Sequence, residues 1–117
     1  MFQTKSYYSV VGLETELIKG KFFMSNELTN EQVFKLVCME VIEKMGFAHF
    51  PPIILVYEMT NSGFVDWCEQ MVFVDDKGKL DEGEKFLLDW MRRNVGNFDL
   101  IRELMPVAER LEMKMRS

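Results

Sequence analysis

The sequence predicts an α+β domain with elements in the order ββαββαα, an antiparallel or mixed four-stranded sheet packed by two to three helices. Three observations predict it. Short β-branched and aromatic runs stand near the N-terminus, the run Ile53 to Tyr57 is apolar at every position as in a strand buried on both faces, and capped amphipathic stretches follow each strand pair. At 117 residues with 48% hydrophobic and 28% charged side chains, the chain is sized for one domain, residues 1–117, with enough apolar material to form one core.

Residues 4–12 and 19–26 carry Tyr7-Tyr8-Ser9-Val10-Val11 and Lys21-Phe22-Phe23-Met24, which pair on paper as an antiparallel hairpin. A helix then begins at Thr29, a Thr cap with Gln32 three residues on and Leu28 and Val33 placed as a staple. It runs to about Met45 and stops at Gly46. At about 100° per residue, Val33, Phe34, Val37, Cys38, Val41, Ile42 and Met45 share the core-facing half. Leu36 and Met39 fall opposite, beside Lys35, Glu40 and Glu43, so either another element covers them or a partner does.

Pro51-Pro52 sets an extended approach to the central strand Ile53 to Tyr57. Asn61-Ser62-Gly63 reads as a turn, and Phe64 to Val74 alternates through Val65, Trp67, Met71 and Phe73 as a further strand. The same stretch also fits a helix through Phe64, Trp67, Cys68 and Met71. After the Asp75-Asp76-Lys77-Gly78 turn, Asp81 and Glu84 form a second capping box for a helix from Glu82 to about Asn94, ended by Gly96. A last helix carries the stripe Ile101, Leu104, Ala108, Leu111 and Met115, with a kink or restart at Pro106.

Composition narrows the function classes. The N-terminus has no basic leader and apolar core of a signal peptide, and the longest apolar run is far below the roughly 20 residues of a membrane span. Two cysteines without an acceptor for N-glycosylation suit a reducing, cytoplasmic setting. The net charge of −5 is regional: residues 58–89 carry −6, residues 1–57 carry −1 and residues 90–117 carry +2. Nucleic acid is a poor ligand for such a chain, since phosphate binding needs a concentrated basic face.

Catalytic and metal signatures are incomplete. Phe73 to Glu84 copies a calcium loop from its sixth position onward, with Gly78 as the turn glycine and Glu84 as the bidentate ligand. Phe73 stands where the first carboxylate belongs, and Lys77 replaces a later ligand. Cys38, Cys68 and His49 are one ligand short of a zinc site and too scattered for a thiol–imidazole pair. No cofactor, metal or catalytic residue is assigned.

The leading expectation is a non-enzymatic protein-interaction domain, an adaptor or small inhibitor of the kind phage and mobile elements use. It presents an acidic surface to another protein with a basic surface, with no membrane partner and with a homo-oligomer as a further option. The partner-contact residues are Asp66, Glu69, Asp75, Asp76, Asp81, Glu82, Glu84 and Met39. The alternative is a small cytosolic enzyme or ligand-binding domain whose carboxylates or thiol converge in a cleft between sheet and helices.

Overall fold

The computed structural model describes residues 28–75 and 77–116, and their regular elements are all α-helices. α1 spans Asn30–Met45, α2 Pro52–Glu58, α3 Ser62–Met71, α4 Glu82–Arg93 and α5 Phe98–Arg116. Among the described residues there is no strand, so the α+β prediction is replaced by a bundle of helices. The predicted N-terminal hairpin lies outside the described residues.

The capping residues place the helix starts as the sequence implies. Thr29 Oγ1 accepts from the Gln32 amide at 3.2 Å while Gln32 Oε1 accepts from the Thr29 amide at 2.9 Å, closing the first capping box. Asp81 and Glu84 close the second, with the Glu84 amide donating to Asp81 at 2.8 Å. Gly46 ends α1 at φ 97°, a conformation that an L side chain rarely adopts.

Both central strand predictions fail for local reasons. Pro51 is extended, as expected, but Pro52 sits at the first turn of α2, where its fixed φ suits a helix and its missing N–H costs nothing. A short, wholly apolar run cannot by itself separate a two-sided strand from a helix end. The residues from Ile53 to Tyr57 bury Leu55 and Val56 and leave Ile54 and Tyr57 outside. In α3, Asn61 is a helix cap rather than a hairpin turn residue, its side chain accepting from the Gly63 amide at 2.8 Å. Phe64, Val65 and Cys68 are buried at helical spacing, Met71 is exposed, and Val72 and Phe73 pack into the core beyond the helix end.

α1 is the hub of the bundle, contacting α2, α4 and α5. Leu36 and Met39 are buried along with the predicted core face, so α1 is apolar on nearly every side. That is the arrangement of a helix enclosed by its neighbours, and it explains the two apolar residues the sequence left on the polar half. Trp90 of α4 donates to the Asn30 side chain at 3.0 Å, and Asn30 in turn donates to Glu103 of α5 at 3.4 Å, linking three helices at the start of α1.

α2 and α5 form the most extensive helix pair. They run antiparallel: Glu112, near the end of α5, accepts from the Ile53 amide at 3.1 Å, while the Gly96 amide, just before α5, donates to the Thr60 carbonyl at 2.9 Å. Pro106 lies inside α5, which continues as one helix to Arg116 instead of restarting.

Candidate functional site

Much of the chemistry of the acids predicted to meet a partner is spent locally. Arg92 of α4 bridges Asp66, at 3.0 Å, and Glu69, both on α3. Asp75 accepts from the Lys77 and Lys79 amides at 2.8 and 2.9 Å, an Asx-type turn closed by Gly78 at φ 77°. These bonds from Lys79 and Lys77 hold the Asp75 carboxyl below its ordinary value. Asp81 and Glu84 serve the α4 cap, and Glu82 lies 4.0 Å from Lys85. Asp75, Asp81 and Glu82 still expose their charge to solvent. Asp76 lies outside the described residues. Met39, at 3% exposure, belongs to the core and is withdrawn as a surface contact.

The chemistry of the cleft alternative also takes a definite form. Cys38 and Cys68 are fully buried free thiols. Burial raises Cys38 well above the usual thiol value and Cys68 to about 12, the reverse of what a nucleophilic thiolate needs. His49 is exposed in the α1–α2 connection. Glu40 of α1 has its carboxyl raised to about 7, by burial first and then by the charges of Glu84 and Glu43. It meets Glu84 of α4, whose own value is raised mainly by burial, so the pair is a contact between helices. Among the described residues no three metal-ligating side chains converge.

An open apolar feature lies elsewhere, on the outer face of the α2–α5 pair. Tyr57, Phe98, Ile101, Arg102, Met105 and Pro106 line an open groove of about 580 Å³. Phe98 is 70% exposed and Tyr57 54% exposed. Ile54, three residues before Tyr57 and so on the same side of α2, is 44% exposed. Local sequence explains the geometry. The Pro52 start and the Glu112 bond fix α2 against α5, and the Gly96 turn at φ 79° delivers Phe98 at the first position of α5. Pro106 has no N–H to return to the Arg102 carbonyl, so α5 carries an acceptor without its usual helical donor on the groove side.

A groove of this kind offers mainly apolar surface. Exposed aromatics offer large area at low entropic cost, and a cluster of them on one face is uncommon on a surface with no contact function. The sequence pattern does not mark this site: Phe98 stands before the apolar stripe of the last helix, and Ile54 and Tyr57 fall in the run that reads as a buried strand. At helical spacing, Ile54 and Tyr57 are the signal, since one face of so short a helix cannot bury both them and Leu55 and Val56.

The described residues form a bundle of helices with an open apolar groove between α2 and α5. Comparison with protein-family models, with curated proteins and with solved structures returns no match for this chain.

Proposed function

We propose that this chain is a non-enzymatic protein-interaction domain, an adaptor or small inhibitor, that docks through the groove between α2 and α5. The observation that carries the reading is the exposure of Phe98 and Tyr57, each more than half exposed, in a groove between α2 and α5, with the exposed Ile54 on the same side of α2 as Tyr57. Anchors of this type supply most of the energy of protein contacts. Asp75, Asp81 and Glu82, exposed within the acidic 58–89 region, add long-range attraction for a partner with a basic surface and set the salt dependence of its capture.

The reading assigns no nucleic-acid partner. The basic residues of α5 are interleaved with acids, Arg116 pairing with Glu112 at 3.0 Å and Arg102 with Asp99 at 3.6 Å, which dilutes any phosphate-binding stripe. It also places the protein in a reducing, cytoplasmic setting, supported by two buried free thiols. Among the described residues no helix is long and apolar enough to cross a membrane.

The test is capture of binding proteins by the tagged chain. Phe98→Glu will lose the captured protein, and joint reversal of Asp75, Asp76, Asp81 and Glu82 to lysine will lower its yield and remove its salt sensitivity. Capture unchanged by Phe98→Glu would refute docking at the groove.

A further inference from the structure

We propose that the occupant of the groove is a second copy of this chain, the two groove faces meeting about a two-fold axis; this rests on the groove being a protein-docking site. A two-fold contact requires one surface that complements itself, since every residue pair across it occurs twice. The α2–α5 face meets that requirement in shape, charge and area.

In shape, the face carries both a knob and a hole. Phe98 projects from the start of α5 with 70% of its surface exposed, and Tyr57, Ile101, Met105 and Pro106 form the recess beside it. A two-fold rotation sets each Phe98 into the recess of the other copy. The tyrosine hydroxyl in the groove is a donor, and the Arg102 carbonyl, which Pro106 cannot satisfy, is an acceptor.

In charge, the groove rim holds one cation and one anion a single turn apart. Arg102 and Asp99 are 85% and 88% exposed and meet only at 3.6 Å within their own helix. A locally neutral rim does not select a strongly basic or acidic partner, but it pairs Arg102 of one copy with Asp99 of the other. Both segments repel their own kind, and residues 90–117, at +2, do so less than residues 58–89, at −6.

In area, one side of a standard interface buries about 800 Å², a little over half of it apolar, or roughly 500 Å². With about 200 Å² for a whole aromatic side chain, the measured exposure of Phe98 and Tyr57 supplies roughly 250 Å² of this. Ile54, Pro106 and the half-buried Ile101 and Met105 extend the same face toward the remainder. The dimer so formed carries two acidic regions, a bivalent module for a basic partner.

Sedimentation of the full chain from about 1 to about 500 μM tests this. The expected result is a concentration-dependent monomer–dimer equilibrium whose dissociation constant rises at least about 30-fold in Phe98→Glu. Met71→Glu, on an exposed apolar residue outside the groove, leaves it unchanged. Asp99→Arg weakens the dimer, and Asp99→Arg with Arg102→Asp restores it. These two exposed positions keep the test decisive if circular dichroism shows that Phe98→Glu does not fold. A chain that stays monomeric across the range, or a dimer indifferent to the charge variants, overturns the inference. A monomer that nevertheless loses capture of a different protein through Phe98→Glu overturns the second copy and leaves the docking reading standing.

Discussion

Replacing Glu40 by glutamine will stabilise the protein above neutral pH, and the gain will grow with pH. Glu40 lies on α1 facing α4. Burial raises its carboxyl from 4.5 to about 7; Glu84 and Asp81 from α4 and Glu43 from α1 add to the rise, and Lys44 of α1 opposes it. A folded value above the unfolded one means that the neutral form is favoured in the native state. The stability it contributes is therefore complete below pH 4.5 and is lost as pH rises through about 7. Between about pH 5.5 and about pH 8 the loss amounts to about 2 kcal/mol, a large fraction of the stability of a small domain. Glutamine keeps the shape and the hydrogen-bonding capacity toward Glu84 and removes the proton. Urea denaturation of wild type and Glu40→Gln at several pH values in this range reads the effect as a difference. That difference cancels groups common to both, including Asp75, whose lowered value makes it lose stability on the acid side instead. Parallel stability profiles, or a glutamine variant less stable at about pH 8, would refute the burial of Glu40 against α4.

Three further expectations follow from the fold. Cys38 and Cys68 will resist a thiol reagent in the native protein and react only as fast as it opens; rapid labelling of either would contradict their burial. Thr29→Ala and Asp81→Ala will each lower stability by about 1 kcal/mol, measurable by denaturant unfolding, because each removes a side-chain acceptor from a helix start. Glu112→Ala will cost about 1–3 kcal/mol by the same measurement, since Glu112, only 12% exposed, is the acceptor for the Ile53 amide; hydrogen exchange will show α2 opening more readily than α4.

The helix boundaries that were legible in the sequence are those with capping chemistry. Thr29 with Gln32, Gly46, and Asp81 with Glu84 act through bonds closed within three or four residues, so local sequence suffices to place them. The α2 and α3 helices were not legible because their identity depends on what lies across from them. Ile53 to Tyr57 is apolar throughout, and only the docking of Leu55 and Val56 inward, with Glu112 holding the start of the helix, makes it helical. Phe64 to Met71 satisfied both periods, and Asn61 served equally as a turn or a cap signal until its bond to Gly63 decided for the cap. The acidic residues could be counted from sequence. That Arg92 would join Asp66 to Glu69, and that Asp75 would face its own turn, depends on tertiary geometry. The groove escaped notice for the same reason, since it joins residues about 40 positions apart on two helices of which one was assigned as a strand.

The central claim is that this chain works by docking through the face between α2 and α5. Its most direct test is methyl-resolved NMR of the chain labelled at isoleucine and methionine, titrated with the protein it retains, its own second copy included. The account predicts that the methyl signals of Ile54, Ile101 and Met105 shift together on saturation while that of Met71 stays in place. Saturable binding that moves Met71 and leaves those three unchanged would contradict it.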